Sequence, residues 1–305
     1  MADRIYTFDD FKNAREKFVL DQDKNKKEKK RKSKLDEEGS LTKDIGLEIT
    51  DENFNNNVIY MAVKWGYEDA RRTMSGIGNL TAERESALKN IAKEIQKYLK
   101  KEKSHQDKKD FDSTHVEICN KWVDDDDLKK VDGITTYGKA QKIVNMAFKY
   151  LYCCEDAYKY EEYFKFCHVP LDSITLEWFY RKRKGEDDDL TRDSMLAWSK
   201  IESYRSIVDK EACMNEAHKK DGHSYMYFQN YFREWFGGQD KITPLQAEFI
   251  YWPLTQETLA AEAFLKSLTD EGDNLIGKPI SDDNKKAIYD KIAGILNPAI
   301  ENEHE

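Results

Sequence analysis

Residues 136–151 read TYGKAQKIVNMAFKYL, and this stretch carries the clearest helical pattern of the chain. At about 100° per residue, one side of the predicted helix collects apolar side chains, namely Ile143, Val144, Ala147, Phe148 and Leu151. The other side collects amide and lysine side chains within an arc of about 100°, namely Gln141, Lys142, Asn145 and Lys149. No carboxylate interrupts this polar face, which therefore suits an anionic or hydrogen-bonding partner; an ordinary solvated face is the simpler interpretation.

A second informative stretch, residues 167–174, reads CHVPLDSI. Pro170 favours an extended conformation for the residue before it, and Asp172 then stands where a helix N-cap is expected. The pattern predicts an extended segment followed by a helix over residues 173–180, with Asp172 capping its first turn.

Together the two stretches resemble the catalytic core of the helix-hairpin-helix DNA glycosylase superfamily, which includes the 8-oxoguanine and endonuclease III-like enzymes. In that family a glycine-containing hairpin precedes a lysine at the head of a helix. An extended Val-Pro-[Val/Ile]-Asp element follows, and its aspartate opens the next helix. Here Gly138 lies four residues before Lys142, and residues 169–172 read Val-Pro-Leu-Asp. The resemblance covers about residues 134–180.

The resemblance implies an all-α fold with a helix-hairpin-helix glycosylase-like core, and an enzyme that excises a damaged or modified base from DNA. The biological role would be repair or defence against modified phage DNA. Lys142 takes the position of the nucleophile and Asp172 that of the catalytic carboxylate. Attack by a neutral Lys142 would add a lyase activity, whereas a protonated Lys142 would leave a simple hydrolase. No cofactor or metal is expected.

Further residues are candidates for contact with the DNA or with a flipped base, namely Gly138, Lys139, Gln141, Asn145, Lys149 and His168. His168 also fits the role of a packed or capping histidine.

Three features depart from the family pattern. Ala140 stands where the family has a second glycine, two residues before the lysine. The gap from Lys142 to Asp172 is 30 residues, longer than in most members and nearer to the archaeal 8-oxoguanine type. The iron–sulfur cysteine cluster of the endonuclease III branch is absent from the sequence. A competing motif, SGIGNLTA at residues 75–82, is followed by a polar run and is interpreted as a turn between helices; as a real hairpin it would bind backbone phosphates through its glycine amides.

Composition limits other classes of function. Hydrophobic residues make up 39% of the chain, enough for a core, yet no stretch approaches the roughly 18 apolar residues of a membrane span. The N-terminus lacks a signal pattern, so a cytoplasmic protein is expected.

Five cysteines without CxxC spacing indicate buried free thiols. The net charge of −9 counts against nucleic acid, although basic runs at residues 24–34 and 181–184 form local patches.

The scarcity of breakers, 14 Gly and 5 Pro in 305 residues, predicts long helices. We expect an N-terminal region (residues 1–50) with a flexible Lys-rich insertion at about 21–45. A helical unit (51–103), a polar linker (104–114) and a helical domain carrying the candidate site (115–300) follow. Towards the C-terminus, three helices are predicted over residues 244–252, 256–268 and 282–296, the first opened by Thr243 and Pro244.

Two other classes of function remain open. A non-enzymatic helical factor of phage or mobile-element type, which binds another protein, would fit the acidic net charge and predicts no dependence on Lys142 or Asp172. A metal-dependent nuclease or hydrolase is less favoured. His218 and His223 are five residues apart, which places them on different helix faces, and the sequence has no HExxH motif.

Overall fold

The computed structural model describes residues 7–29, 44–50, 57–73, 78–102, 107–132, 136–183, 198–201, 225–237 and 242–276. These residues form helices joined by turns and extended segments, with no β-strand among them, so the all-α prediction is confirmed. The chain divides into a larger compact unit, residues 6–250, and a smaller one comprising residues 1–5 and 251–305. Within the described ranges, no helix is both long and apolar enough to cross a membrane.

The α-helices follow one another as α1 (Phe8–Lys29), α2 (Val58–Thr73), α3 (Ala82–Lys100), α4 (Lys108–Val123), α5 (Asp126–Asp132), α6 (Tyr137–Leu151), α7 (Glu161–Phe164), α8 (Ser173–Arg183), α9 (Tyr225–Gly237) and α10 (Pro244–Ile276). Two short 3₁₀ turns, Ala157–Tyr160 and Trp198–Lys200, precede α7 and α9.

Local sequence signals determine where these helices begin. Thr81, Asp107 and Thr136 are the N-caps of α3, α4 and α6, and each side chain accepts a hydrogen bond from a backbone N–H of the first turn. Helix α10 opens with a capping box: Thr243 N donates to Gln246 Oε1 (2.7 Å), and Gln246 N donates to Thr243 Oγ1 (3.3 Å). The predicted start of α10 is therefore confirmed.

Some predicted boundaries are wrong. The Lys-rich stretch is helical from residue 21 to Lys29, because α1 continues into it; residues 30–43 lie outside the described residues. The predicted linker 104–114 is already helical from Lys108, because Asp107 caps α4 there.

The C-terminal helices differ from the prediction as well. Helix α10 runs from Pro244 to Ile276 without the expected break after Trp252, and it contains Pro253. A proline inside a helix removes one backbone donor, and the helix continues past it here rather than ending before it. The helix predicted over residues 282–296 lies outside the described residues.

The core of the larger unit is centred on α6, against which α2 makes the most extensive contact. Gly66 of α2 permits this close approach, since a Cβ atom there would lie 2.5 Å from the carbonyl oxygen of Ile143. Helices α3 and α4 also lie beside α6, and buried aromatic side chains make ring contacts between α2, α3, α4 and α6, namely Tyr67, Tyr98, Phe111, Trp122 and Phe148. Helices α2 and α3, which fall within the predicted helical unit 51–103, therefore belong to the same compact unit as α6.

We expect Gly66→Ala to lower the free energy of unfolding by about 2 kcal/mol, because the new methyl group forces α2 away from the backbone of α6. The higher helix propensity of alanine, about 1 kcal/mol, opposes this effect only in part. Urea denaturation measures the change. Gly46→Ala is the matched control, since a Cβ there would meet Asn57 Nδ2 at an ordinary 3.6 Å. A Gly66→Ala protein as stable as the wild type would contradict the close packing of α2 on α6.

Candidate functional site

The lysine and the aspartate that the sequence singles out lie in contact. Lys142 Nζ is 2.6 Å from Asp172 Oδ2, and the two side chains are only 6% and 9% exposed. The other carboxylate oxygen, Oδ1, accepts a hydrogen bond from Thr175 N at 2.8 Å. Asp172 is therefore the N-cap of α8, as predicted, and its carboxylate connects the start of α8 to the side of α6.

Two buried glutamine side chains hold the extended segment that precedes Asp172. Gln141 of α6 accepts a hydrogen bond from Leu171 N (3.1 Å) and donates one to Leu171 O (2.9 Å). Gln229 of α9 does the same for Val169, at 3.0 and 2.9 Å. An extended backbone normally satisfies these groups by pairing with a second strand. Here the primary amides, each with a donor and an acceptor, replace that strand and fix the direction in which Asp172 leaves the segment.

Asn145, one turn after Gln141, joins the same segment to a buried histidine. Its Nδ2 donates to Val169 O (3.1 Å) and to the hydroxyl of Tyr225 (2.8 Å), and its Oδ1 lies 2.8 Å from His115 Nε2. Because an amide oxygen only accepts, Nε2 of His115 carries the proton. Nδ1 of the same ring then accepts from the hydroxyl of Tyr137 at 2.9 Å.

A second buried histidine extends this network towards α4. His168 Nδ1 accepts a hydrogen bond from the hydroxyl of Tyr225 (2.9 Å), and His168 Nε2 donates to Asp112 Oδ1 (2.8 Å). Arg233 of α9 donates two hydrogen bonds to the same carboxylate, at 2.6 and 3.0 Å. The ring centroids of His115 and His168 are 4.5 Å apart. The expectation of a packed histidine at position 168 is therefore confirmed.

Burial determines the charge state of these groups. It lowers the pKa of His115 to about 4 and lowers the pKa of His168 well below its usual value, so both rings are neutral at pH 7. The nearby charge of Arg233 lowers the pKa of His168 further. Burial alone would raise the pKa of Asp112, but the hydrogen bonds from His168 and Arg233 hold it well below its ordinary value.

A second buried ion pair lies two helical turns further along α6. Lys149 Nζ is 2.5 Å from Glu248 Oε2 of α10, and these side chains are 5% and 1% exposed. The rings of Phe18 and Phe249 stand 4.6 and 4.8 Å from the same ammonium, within the range of cation–π contacts. Burial raises the pKa of Glu248, and the charge of Lys149 opposes that rise.

The polar face of α6 is buried, and the expectation of a solvated or DNA-facing surface does not match the structure. Gln141 and Asn145 have no exposed surface, and Lys142 and Lys149, counted as whole residues, are only 5% and 4% exposed. The physical reason is that the segment before α8, together with α9 and the first two turns of α10, covers this face and supplies its partners. Among the candidate residues, Lys139 is half-buried and remains nearest to solvent.

Gly138 also occupies a different environment from the one that the resemblance implies. Its N–H donates to Ile201 O at 2.8 Å, and a Cβ at this position would overlap with the carbonyl oxygen of Trp198. Next to it, Thr136 Oγ1 donates to Ser199 O at 2.7 Å. The start of α6 is thus covered by residues 198–201, and the Gly138 amide is already used within the chain rather than directed at a phosphate.

The cysteines and histidines give no sign of a metal centre in the part of the chain that the structure describes, where no group of three or more His, Cys, Asp or Glu side chains is arranged to hold an ion. The expectation of buried free thiols is confirmed for four cysteines, namely Cys119, Cys153, Cys154 and Cys167. Cys213, His218 and His223 lie outside the described residues.

Several residues of the site were not selected from the sequence, namely Asp112, His115, Tyr225, Gln229, Arg233 and Glu248. A usable signal existed for two of them. Gln229 and Glu248 stand in largely apolar and aromatic runs, YMYFQNYF at residues 225–232 and PLQAEFIYW at residues 244–252. A polar side chain in such a run is buried with the helix and must therefore find a polar partner.

Comparison of the chain with protein-family models, with curated proteins and with solved structures found no match. The Lys142–Asp172 contact lies within residues 134–180, the stretch that carries the resemblance.

We expect the free energy of unfolding to fall as the pH is lowered from about 6.5 to about 4. The unfolded chain protonates His115 and His168 near pH 6.5, whereas the folded chain keeps both rings neutral to lower pH. Acid therefore favours the unfolded state, by at most about 1.4 kcal/mol per pH unit for each histidine. Urea denaturation at pH 7, 6 and 5 measures this slope.

His115→Gln is the control for this pH dependence, because a glutamine cannot titrate and retains an N–H donor for Asn145. The slope of the variant between pH 6.5 and 5 should be smaller than that of the wild type by the share of one histidine, at most about 1.4 kcal/mol per pH unit. The difference between the two proteins also cancels the contribution of the carboxylates. Equal slopes would show that His115 is protonated in the folded protein.

Breaking the Lys142–Asp172 pair should lower the free energy of unfolding strongly, whereas replacing both charged side chains together should lower it only slightly. Lys142→Met leaves the Asp172 carboxylate buried without its ammonium and should cost about 3–5 kcal/mol of stability. The double variant Lys142→Met/Asp172→Asn removes both charges, and asparagine caps a helix as well as aspartate does. Urea denaturation should show that the double variant recovers most of the loss; additive losses would contradict direct pairing.

Proposed function

We propose that the protein is a DNA N-glycosylase that excises a damaged or modified base, with Asp172 and Lys142 as its reacting groups. The observation that carries the proposal is the 2.6 Å contact between Lys142 Nζ and Asp172 Oδ2. This contact joins the amine of Lys142 on α6 to the carboxylate of Asp172, which caps α8 after the extended Val-Pro-Leu segment. Repair and defence against modified phage DNA share this chemistry and differ in the base that is recognised.

Asp172 supplies the charge that this reaction needs. Cleavage of an N-glycosidic bond develops positive charge on the sugar, and a carboxylate beside the sugar stabilises it. The bond from Thr175 N and the backbone clamp of Gln141 and Gln229 hold this carboxylate in one orientation. A group that is already oriented loses little free energy in reorganisation when the charge develops.

Lys142 determines whether the reaction is a hydrolysis or a lyase reaction. As a neutral amine, its Nζ attacks the anomeric carbon, the new C–N bond forms as the bond to the base breaks, and a Schiff base with the opened sugar follows. The ammonium form cannot attack. A water molecule then has to take the place of the amine, and Asp172 remains the stabilising carboxylate.

The burial of the pair sets a further requirement. A base inside a duplex must be rotated out of the stack before it reaches an enzyme's reacting groups. Counted as whole residues, Lys142 and Asp172 are only 5% and 7% exposed. The side chains around them must therefore also move when the nucleotide enters. The proposal therefore includes an opening of the site upon DNA binding.

The same burial favours a second candidate function, a non-enzymatic helical factor that binds another protein. In that case the ion pair and the glutamine and histidine network act only within the core. A fully satisfied buried polar network selects one arrangement of its helices over others, and it needs no substrate to do so. The acidic net charge of −9 also fits a protein partner better than DNA.

Borohydride trapping tests the proposal. The protein is incubated with duplex DNA that carries an abasic site or one of a panel of modified bases, and borohydride reduces any Schiff base. We expect a covalent complex with wild type and none with Lys142→Gln, because the variant has no amine at that position. A hydrolase would instead give abasic sites whose formation is lost in Asp172→Asn.

Two controls complete this experiment. Lys165→Gln removes a lysine from an exposed position and should leave trapping unchanged. The double variant Lys142→Met/Asp172→Asn is the folded protein without reacting groups, and its unfolding curve shows whether a loss of activity reflects a loss of structure. If wild type gives neither complex nor abasic sites across the panel, the glycosylase proposal fails and the interaction factor is favoured.

A further inference from the structure

Helix α9 presents a polar stripe to the segment that ends in Asp172. Three of its side chains, spaced four residues apart, leave the helix within an arc of about 80°, namely Tyr225, Gln229 and Arg233. The middle one holds both backbone groups of Val169, at 3.0 and 2.9 Å. The outer two bind the start of the segment, at the side chain of His168 and at the backbone of Phe166.

Arg233 is the branch point of the polar contacts around the start of the segment. Its guanidinium donates to the two carboxylate oxygens of Asp112, at 2.6 and 3.0 Å, and to Phe166 O at 3.0 Å. Asp112 also accepts from His168 Nε2 at 2.8 Å. The side chains of Arg233 and Asp112 are 11% and 15% exposed, and that of His168 is fully buried. One guanidinium thus reaches the segment twice, directly at Phe166 and through Asp112 at His168.

The ring of His168 carries this linkage into the backbone. Its Nδ1 accepts from the hydroxyl of Tyr225 at 2.9 Å, so α9 holds one nitrogen and Asp112 of α4 holds the other. A carboxylate only accepts, and Asp112 therefore also determines which ring nitrogen carries the proton. The ring cannot turn without breaking one of these bonds. Because Val169 follows directly, the direction in which the chain enters the Val-Pro-Leu stretch depends on how His168 is held.

The other end of the segment is the carboxylate of the proposed reaction. Asp172 Oδ1 accepts from Thr175 N at 2.8 Å, and the two glutamines described above hold the residues in between. A carboxylate that stabilises a developing cation must act from one position. A displacement of about 1 Å at such a group can lower the rate about 100-fold, even when its cause lies far from the reacting atoms.

We propose that Arg233 and Asp112 are positioning residues, which hold the start of the segment so that Asp172 leaves its end in the reacting orientation. The inference rests on the proposed function. It gives His168 a place in this linkage rather than in contact with DNA. If the Arg233–Asp112 pair only stabilised the fold, its loss would loosen α4 and α9 without a specific effect on Asp172.

Hydrogen exchange of the Thr175 amide tests the linkage without DNA. This amide donates to Asp172 Oδ1, so its exchange rate reports whether the carboxylate keeps its place. Arg233→Gln cannot bind Asp112 through two parallel bonds, and we expect the Thr175 amide to exchange at least about tenfold faster than in wild type. The Leu128 amide is the internal control. It donates to Asp125 Oδ1 at the start of α5, also at 2.8 Å, and its exchange should not change.

Two further variants sharpen the exchange experiment. Asp112→Asn keeps the shape of the side chain but removes the charge that Arg233 and His168 share, so it should also accelerate exchange at Thr175. This variant decides the question if Arg233→Gln does not fold. Arg71→Gln is the matched control, since Arg71 forms a hydrogen-bonded ion pair with Glu68 within α2, at 2.7 Å. Its loss should leave the Thr175 amide unchanged.

The kinetics of base removal provide the second measurement. Arg233→Gln should lower kcat by up to about 100-fold and change KM by less than about threefold, because the displaced carboxylate acts on the transition state rather than on DNA binding. A merely structural role would instead lower activity in proportion to the fraction of unfolded protein, which the unfolding curve gives. Arg233→Lys retains a cation for Asp112 without the planar fork and should recover part of kcat.

The two measurements separate the inference from the proposed function. Faster Thr175 exchange in Arg233→Gln, together with a wild type that acts on no DNA, would uphold the linkage and contradict the glycosylase. An active wild type whose Thr175 exchange is unchanged in both Arg233→Gln and Asp112→Asn would uphold the glycosylase and overturn the inference. Equal acceleration at Thr175 and Leu128 would show general loosening of the fold and would overturn it as well.

Discussion

The need to satisfy the buried polar face of α6 is the constraint on which the rest of the larger unit depends. A polar group removed from water costs stability unless it finds a hydrogen-bond or ionic partner inside the protein. Each of the four polar residues on this face, Gln141, Lys142, Asn145 and Lys149, has such a partner on another element. The segment before α8, together with α9 and the first two turns of α10, is therefore held against α6 by specific polar contacts as well as by aromatic packing.

The sequence predicted those parts of the site that local rules determine. The helix at 136–151, the extended segment at Pro170 and the cap at Asp172 follow from periodicity, proline sterics and capping preference. The elements that pack on the polar face of that helix could not be predicted from the sequence. A helical wheel shows which residues share a face, but it does not show what covers that face. His115 and Gln229 are separated by more than 20 residues from the side chains and backbone they bind. Such contacts depend on the packing of whole helices, and a single sequence does not display them.

The same burial separates the two interpretations of the molecule. In the glycosylase interpretation, the ion pair is buried in the free protein and becomes exposed when DNA binds. The free energy of DNA binding then offsets the free energy needed to expose the pair. In the interaction-factor interpretation, the pair is never exposed, and its function is to fix one packing of α6 against α8. The two interpretations differ in whether Lys142 and Asp172 ever contact a ligand that enters from solution. Neither requires the start of α6 to bind a phosphate, since residues 198–201 cover Gly138.

The hydrogen bonds of Gln141 and Gln229 to the segment before α8, the glutamine clamp, also have a consequence for the order in which the molecule folds. Gln141 lies 30 residues before Leu171, and Gln229 lies 60 residues after Val169. Helices form from local contacts, whereas these two closures must bring distant parts of the chain together at an entropic cost that grows with loop length. We therefore expect the segment before α8 to acquire its shape late, after α6 and α9 have both docked. A nascent chain that has not yet reached residue 225 possesses Lys142 and Asp172 but only half of the clamp that orients them.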